Sequence, residues 1–416
     1  MSGPLWTSLP EGWRSAQMKN AATVTLGKML QGKDSGQDVS APYLRAANVQ
    51  PDGVLAVDDW KEMWFDSTEL ERLSIHRGDV VVVEGGQGGF GRAAFVRTDL
   101  GGWGFQNSIN RLRPVAGADG RFLAYYLIAL RASGYIHAYA NVVSMPHLTA
   151  DKLERLSVPL PPAESQRAIA NYLDRETARI DTLIEAQQLL IEMLRERRAA
   201  QTSLATGWGS DLPEGWSMMR LSWLFEATAS GTTPANEDIT YDEDAEFPWV
   251  TTGELRETVV ESTLRGVSAE VIEKYSALRT HPAGSLLIAM YGATIGRMGI
   301  LGVDATSNQA CCALVGPTHA VPEFVQYSLQ SAKQQLLLEA AGGGQPNINQ
   351  EKIRSFRIPT PPLAEQRRIR ADLDASVGKI DELIAETERF IELSRERRAA
   401  LITAAVTGQI DVREVA

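Results

Sequence analysis

Two glycine-rich stretches are where the residue types and spacing of this sequence suggest chemistry. Residues 86–91 read GQGGFG after the apolar run VVVV, which matches the GxGxxG pattern of dinucleotide-binding sites. That chemistry needs a helix directly after the glycines, so that its first amides meet the phosphates. Here RAAFV follows, which predicts a strand, and residues 291–296 (YGATIG) keep a turn but lose the pattern. Both stretches therefore predict tight hairpin turns rather than nucleotide sites.

The other chemistry-bearing residues form no catalytic or metal-binding pattern. Cys311 and Cys312 lie in the apolar run ACCALV, which predicts buried thiols on a strand and offers neither a disulfide framework nor a zinc site. No GxxxxGK[ST] loop, NPPY-type tetrad or Ser/His/Asp elbow occurs. We therefore expect a non-catalytic chain without cofactor or metal. The histidines, which lack HxH and HExxH spacing, are His76, His137, His147, His281 and His319.

Composition indicates a folded protein of the reducing cytoplasm. The sequence has no run of about 18 apolar residues and no basic region followed by an apolar one at its start, so we expect neither a membrane span nor a signal peptide. The net charge is −11, and most of the acidic excess lies in residues 212–355. This balance argues against strong sequence-independent DNA binding by the chain alone, but it leaves room for a local basic surface.

The elements that must position the glycine-rich turns are two copies of one long helix. Residues 159–200 and 359–400 are identical at nearly half of their positions, and each runs from a PxPP stop to an RERRAA end. Apolar residues spaced by three and four predict a helix with one buried stripe, about 60 Å long over about 40 residues. A small globule cannot bury such a stripe, so we predict that the two copies pair as a coiled coil. Because a globule separates the copies and the plan occurs twice, we expect the pairing to be antiparallel. Its predicted core residues are Ile169, Leu173, Ile180, Ile184, Ile191, Leu194, Ile369, Leu373, Ile380, Ile384 and Ile391.

The repeat extends beyond the helices. LPEGW occurs at 9–13 and at 212–216, and each copy precedes a hairpin around a glycine-rich turn, a helical segment and the PxPP stop. The fold class predicted is α+β: two similar globules separated by the two long helices, with pseudo-twofold symmetry. Between the shared landmarks the globules diverge, so they share a frame but not a surface. The predicted domains are globules at 1–155 and 209–355 and helical regions at 156–208 and 356–416.

This ordered set of motifs resembles the DNA-specificity (S) subunit of Type I restriction–modification systems. Its most specific part is PTPPLAEQRRI at 359–369, which is close to the family's proline-proline-leucine-x-glutamate-glutamine element; the first copy departs from it with AESQ at 163–166. The resemblance implies that each globule is a target-recognition domain for one half of a split site in double-stranded DNA. It implies paired helices that fix the spacer and dock two methylation (M) subunits carrying S-adenosylmethionine. ATP-dependent restriction (R) subunits would complete the complex.

On that resemblance, certain polar residues become candidates for DNA contact. Glycine turns let the backbone approach phosphate, and Arg92 and Arg297 leave the two turns at matched positions. Asn and Gln can pair with adenine and Arg with guanine, although Asn and Gln near strand ends also form turns and an Arg can bond a turn carbonyl. The alternative function is a non-catalytic assembly scaffold without DNA specificity. The predicted contacts are Gln87, Arg92, Asn107, Ser108 and His147 in the first globule, and Tyr291, Thr294, Arg297, Asn308, Gln309, Gln345 and Asn347 in the second.

Overall fold

The computed structural model describes residues 3–86, 89–140, 147–209, 211–242, 245–338 and 347–412. Its two longest helices cover Ala163–Ala205 and Leu363–Val406. The chain divides into two units, each of which contains one globule and a part of both long helices. Unit 1 consists of Met1–Gln188 and Arg389–Ala416, and unit 2 consists of Leu189–Glu388.

Unit 1 is an α+β unit built on short strands. Its strands are β1 (Arg14–Gln17), β2 (Ala22–Leu26), β3 (Val39–Leu44), β4 (Lys61–Phe65), β5 (Val80–Val83), β6 (Ala93–Phe95), β7 (Gly104–Phe105), β8 (Ile109–Pro114) and β9 (Ser157–Leu160). Its helices are α1 (Ser67–Arg72), α2 (Gly120–Ala132), α3 (Tyr135–Ala140), α4 (Ala150–Arg155) and α5 (Ala163–Ala205), of which α5 continues into unit 2.

The sheets of unit 1 enclose two hydrophobic cores. One sheet has the antiparallel order β2-β8-β5-β6, a second has the order β4-β3-β7 with β3 and β7 parallel, and β1 pairs with β9. The apolar run of β5 serves both cores, because Val80 and Val82 face α2 and the long helices while Val81 and Val83 face the second sheet. A strand buried on both faces favours this unbroken β-branched sequence.

Unit 2 repeats this plan with one additional strand. Its strands are β10 (Ser217–Arg220), β11 (Phe225–Ser230), β12 (Phe247–Val250), β13 (Val259–Val260), β14 (Gly266–Val267), β15 (Leu286–Ala289), β16 (Met298–Leu301), β17 (Thr306–Ser307), β18 (Cys311–Pro317) and β19 (Arg357–Thr360). Its helices are α6 (Leu221–Leu224), α7 (Ala269–Lys274), α8 (Pro322–Ser331), α9 (Lys333–Leu338), α10 (Gln350–Ser355) and α11 (Leu363–Val406). The sheets have the orders β11-β18-β15-β16-β13, β14-β12-β17 and β10-β19.

Both predicted hairpins are confirmed, but the helix predicted after each of them is broken in two. β5 pairs antiparallel with β6, and β15 with β16. In unit 1, Gly134 adopts a left-handed φ of 77° and separates α2 from α3, as glycine does at helix ends. In unit 2, Ala332 leaves helical geometry with ψ at 12° and separates α8 from α9, on which Leu336 is buried.

The long helices run antiparallel within each unit, as the repeated plan of globule and helix predicts. In unit 2, Arg195 pairs with Glu388 and Arg198 pairs with Asp381. Residue numbers therefore increase along α5 in the direction in which they decrease along α11. In unit 1, Asp181 of α5 pairs with Arg398 of α11. The RERRAA ends therefore contribute arginines to pairing between helices, besides presenting a solvated face.

The predicted core residues of the helices lie in two kinds of environment. Ile169 and Leu173 belong to the α2-side core of unit 1, and Ile369 and Leu373 belong to the matching core of unit 2. Their burial is therefore partly against the globules, and their role in a helix–helix seam stays a prediction. The remaining buried positions are Ile184, Ile191, Leu194, Ile380 and Ile391, while Ile180 and Ile384 are half-buried.

A buried glutamine joins the start of each long helix to its globule. Gln166 Nε2 donates to Pro161 O at 2.9 Å, while its Oε1 accepts from Asp119 N, at the start of α2, at 2.9 Å. Gln366 makes the same two bonds, to Pro361 O at 2.9 Å and from Val321 N, at the start of α8, at 2.8 Å. The PPxxxQ motif thus fixes where each globule sits on its own helix segment.

Candidate nucleic-acid interface

In unit 1, four separate chain segments meet beyond the end of β5. Glu84 N donates to Ser108 O at 2.8 Å, and Leu148 N donates to Glu84 O at 2.7 Å. Ala46 N donates to Ser108 Oγ at 3.2 Å, so that hydroxyl supports the backbone. Asn107 is half-buried and its N–H bonds Lys28 O at 2.7 Å. We call this cluster, formed by Ala46, Glu84, Asn107, Ser108 and His147, the unit 1 edge.

His147 is the most accessible ionisable member of the unit 1 edge. Its Nδ1 lies 2.8 Å from Glu84 Oε2, and its side chain is 49% exposed while that of Glu84 is 14% exposed. The backbone of His147 bridges that of Gly85, where a Cβ atom would lie only 2.7 Å from His147 Nδ1. Glycine at 85 is therefore what allows the imidazole to reach the carboxylate.

Arg92 lies at the other side of the same glycine-rich turn. Its N–H donates to Gly89 O at 3.0 Å, and its carbonyl accepts from Val83 N at 2.8 Å. Its half-buried side chain has an Nε atom without a hydrogen-bond partner in the described part of the chain. Burial, and then the charge of Arg92, lower the pKa of Arg131, whose Nε donates to Phe90 O at 3.0 Å. Two guanidinium groups thus concentrate positive charge beside the turn.

In unit 2, equivalent segments meet beyond the end of β15. The backbone of Tyr291 bridges that of Asn347, and Ile348 N donates to Met290 O at 2.8 Å, as Leu148 does to Glu84 in unit 1. The side chain of Asn347 is exposed and that of Tyr291 is half-buried.

Asn308 and Gln309 enter the same region between β17 and β18. Asn308 Oδ1 accepts from Ala310 N at 3.1 Å, so this amide shapes its own turn. Gln309 is exposed, and its Oε1 accepts from Thr233 Oγ1 at 2.6 Å. We call Thr233, Tyr291, Asn308, Gln309 and Asn347 the unit 2 edge.

The arginines that follow the two turns occupy equivalent backbone positions. Arg297 N donates to Thr294 O at 2.9 Å and Arg297 O accepts from Ala289 N at 2.8 Å, which repeats the two bonds made by Arg92. The side chain of Arg297 is exposed, whereas that of Arg92 is half-buried. Thr294 is half-buried in the single helical turn Gly292–Thr294.

Two predicted contacts, Gln87 and Gln345, lie outside the described residues. Two residues that the sequence analysis did not single out lie among the predicted ones. Glu84 directly follows the VVVV strand, and a search for polar residues at strand ends would have found it. Thr233 belongs to a divergent region without a motif, and only the fold shows its bond to Gln309.

Both cysteines and His281 lie in the interior of unit 2. Burial raises the pKa of Cys311 and of Cys312 to about 12, so both thiols on β18 are protonated, as the apolar run predicts. Burial lowers the pKa of His281, whose Nε2 lies 3.2 Å from Ser307 Oγ in the interior of unit 2. No group of acidic, His and Cys side chains suited to a metal was found among them. Nor does any helix within the described ranges have the length and apolar character needed to cross a membrane.

The two α+β units share one strand plan, apart from the additional strand of unit 2, and each has a polar edge beyond a glycine-rich turn. Comparison with known sequences specifies the class. The family model described as "Type I restriction modification DNA specificity domain" matches twice, at residues 10–193 and 213–392. The chain belongs to this family.

Individual relatives are distant. The specificity subunit of the Escherichia coli Type I restriction enzyme EcoR124I/EcoR124II is 26% identical over 172 residues, which cover 40% of this chain and 42% of that protein. The Escherichia coli EcoBI specificity subunit is 24% identical, and the match covers 60% of this chain and 56% of that protein. The chain thus spans about half the length of these two relatives. A putative MjaX specificity subunit of Methanocaldococcus jannaschii is 22% identical over 97% of this chain and 95% of that protein.

Solved structures share the fold over nearly the whole chain. A chain reported under "Structural basis underlying complex assembly and conformational transition of the type I R-M system" superposes with a TM-score of 0.74 at 19% identity, covering 97% of this chain and 100% of that one. The HsdS subunit from Thermoanaerobacter tengcongensis superposes with a TM-score of 0.57, also at 19% identity, covering 97% and 98%.

Proposed function

We propose that this chain is the DNA-recognition subunit of a Type I restriction–modification complex, and that each unit reads one half of a bipartite duplex site. The observation that carries the proposal is the contrast between the two edges, which share backbone hydrogen bonds but present different side chains. A hydrogen-bonded pair, Glu84 and His147, lies at the unit 1 edge, while the unit 2 edge presents Tyr291, Gln309 and Asn347. Two half-sites of different sequence require this combination, because base contacts carry the specificity.

The side chains at the edges suit both tasks of a DNA reader. The amides of Gln309 and Asn347 can pair with adenine, and the Glu84 carboxylate can accept from the amino group of cytosine. Arg92 and Arg297, which leave the glycine turns, suit phosphate or guanine. The target-recognition domains are then residues 1–155 and 209–355, and residues 156–208 and 356–416 form the helical regions that set the spacer.

The long helices offer an apolar surface for partner subunits. Outside the buried stripe, a second set of large apolar side chains is exposed at positions that repeat between the helices, an arrangement typical of an interaction site. We infer that two methylation subunits, each binding S-adenosylmethionine, dock there, and that ATP-dependent restriction subunits join the complex. This chain contributes recognition and no catalytic group. The exposed set is Leu183, Leu190 and Met193 on α5 and Leu383, Phe390 and Leu393 on α11.

Mapping methylated bases in the host genome, with and without the gene for this chain, tests the proposal. We expect one bipartite motif to lose its methylation on deletion and to regain it when the intact gene is restored. If every methylated motif survives the deletion, the chain is not a specificity subunit. A complex that assembles with its methylation partner, yet shows no site preference in a mobility-shift assay, would favour the assembly scaffold instead.

A further inference from the structure

The last arginines of the two RERRAA motifs, Arg198 and Arg398, have different surroundings. In unit 1, Arg398 Nε donates to Asp181 Oδ1 at 2.8 Å and Nη2 donates to Asp181 Oδ2 at 3.1 Å. Nη2 also donates to the carbonyl of Asp52 at 3.2 Å, and Nη1 lies 3.5 Å from the Asp52 carboxylate. The Arg398 side chain is only 8% exposed. An acidic turn of the unit 1 globule thus completes the coordination of this arginine.

The turn that covers Arg398 has a conformation suited to the task. Asp52 adopts a left-handed φ of 62°, which directs both its carbonyl and its carboxylate to the same guanidinium. Gly53 follows with a φ of 84°, and a Cβ atom there would lie 2.8 Å from Ile128 Cδ1. The turn is therefore packed closely against α2.

In unit 2, the arginine at the equivalent place is more exposed than Arg398. Glu257 is the counterpart of Asp52. It also has a left-handed φ, of 59°, and its N–H donates to the carbonyl of Met298, the first residue of β16. Its carboxylate lies 3.9 Å from Lys333 Nζ instead of reaching the helices. Arg198 Nε lies 3.1 Å from Asp381 Oδ1 but has no hydrogen-bond partner within the described ranges. Its side chain is 38% exposed.

The space over Arg198 is an open, basic groove. Its volume is about 980 Å³, whereas the two cavities beside the Asp52 turn of unit 1 measure about 360 Å³ and 370 Å³. Acidic groups are fewer than basic ones in its lining, although the whole protein is acidic. An anionic occupant is therefore favoured. The charged lining residues are Arg195, Arg198, Arg256 and Lys333 against Glu257 and Asp381.

We propose that this groove, the Arg198 groove, is a docking site for an acidic turn of a partner protein. The partner's carboxylate and adjacent carbonyl take the place at Arg198 that Asp52 takes at Arg398. Two observations indicate the occupant. Basic side chains outnumber acidic ones in the groove lining, and in unit 1 the equivalent arginine, Arg398, is contacted by the carbonyl and the carboxylate of an acidic turn. Since the unit 1 site is filled by its own turn, each chain binds one such partner. The site is independent of DNA recognition.

A cyclic peptide with the sequence of residues 49–55, VQPDGVL, is the probe. Titrated into the full chain by calorimetry, with the Arg Nε–Hε signals followed by NMR, it should bind saturably and shift the Arg198 signal. The same peptide with Asn in place of Asp, and the Arg198→Ala variant with the original peptide, should each bind at least about tenfold more weakly, because charge-assisted hydrogen bonds are lost. Arg197→Ala, which removes an exposed arginine that does not line the groove, should leave the affinity unchanged.

Two results would overturn the docking site. One is the absence of saturable binding by the Asp peptide; the other is equal binding by the Asn peptide or by Arg198→Ala. Arg198→Lys keeps the charge but loses the forked donor. An affinity between those of Arg198→Ala and the unchanged chain would show that the weaker binding comes from altered recognition of the carboxylate and not from a loss of fold. Site preference of the assembled complex is measured separately: a chain that binds the peptide but prefers no DNA site would overturn the DNA proposal alone.

Discussion

At the unit 1 edge, the His147 imidazole holds the Glu84 carboxylate in one orientation, 2.8 Å from Nδ1. A carboxylate that is only 14% exposed keeps its position at little further cost in side-chain entropy when a ligand arrives. The pair can therefore act as one recognition element, in which His147 positions Glu84 and also presents its own ring to the groove of the duplex.

Replacing His147 with Ala should weaken reading of the first half-site alone. We expect a loss of about 1–3 kcal/mol in discrimination at one or two base pairs, because one oriented polar contact disappears. Competition mobility shifts with singly substituted sites, using the complex with its methylation partner, measure this. His76→Ala is the matched control, since His76 also lies near a carboxylate, 3.3 Å from Asp99, but away from the edge. An equal loss at both half-sites would contradict the assignment.

Asp174 on α5 is the acid on which three side chains of the unit 1 globule converge. Arg97 Nη2 donates to it at 2.8 Å, Tyr125 Oη at 2.9 Å and Arg121 Nη1 at 3.0 Å. Burial by itself raises the pKa of this carboxyl, but the hydrogen bonds from Arg97 and Tyr125 outweigh burial and hold its pKa below the ordinary 3.8. The stabilisation is therefore present above the unfolded pKa and is lost as the pH falls through the folded one.

Asp174→Asn should lower the free energy of unfolding of unit 1 by about 1 kcal/mol at neutral pH, a small value because solvent screens this partly exposed group. The deficit should shrink as the pH falls below the lowered pKa, where the wild-type carboxyl is itself protonated. Amide hydrogen exchange of unit 1 peptides across this pH range measures it. Asp151→Asn, which removes an exposed pair with Arg155, should have almost no effect. A deficit that persists undiminished in acid would indicate lost packing rather than lost charge.

Among the elements, those with a repeated or periodic pattern were predictable and those held by single contacts were not. The long helices and both hairpins follow from apolar spacing and glycine turns, which act locally. The break at Ala332 did not follow, because no glycine or proline interrupts residues 323–338. Leu336, after the break, packs in the unit 2 core, which is a tertiary contact that the local sequence does not show. At the edges, the sequence indicates Arg92 and Arg297, because each follows a glycine-rich turn. The hydrogen bond between Thr233 and Gln309 could not be predicted, because it joins segments far apart in the chain.

The buried glutamine of each PPxxxQ motif should stabilise the junction between a long helix and its globule. Gln366→Ala leaves Val321 N–H and two carbonyls without their partner in a buried place, so unit 2 should lose about 1–3 kcal/mol of unfolding free energy. Hydrogen exchange in α8 should rise, while that of unit 1 stays unchanged because Gln166 is intact. Arg367→Ala, an exposed neighbour, is the control. Equal exchange in the variant and the control would show that the motif has no structural role.

For the whole molecule, net charge limits how it can hold DNA. A chain with a net charge of −11 can attract phosphate only through local basic groups, for which we propose Arg92 and Arg297. We propose that partner subunits supply part of the contact with the DNA backbone. The recognition edges then supply specificity more than affinity. This division agrees with the exposed apolar side chains on both long helices, where we propose that partner subunits dock.

If the helices set the spacer, lengthening both should change the spacer alone. Seven residues inserted between Gln188 and Leu189, and seven between Glu388 and Arg389, add about 10 Å where each helix passes from one unit to the other, and nearly preserve the helical face. At 3.4 Å per base pair the recognised spacer should grow by about 3 base pairs, with both half-sites unchanged. Mapping of methylated bases in a host carrying the variant reads this directly. The same insertion in one helix only is the control and should abolish methylation, because the pairing of α5 with α11 is then out of register. Altered half-site sequences, or an unchanged spacer, would show that the helices do not measure the distance.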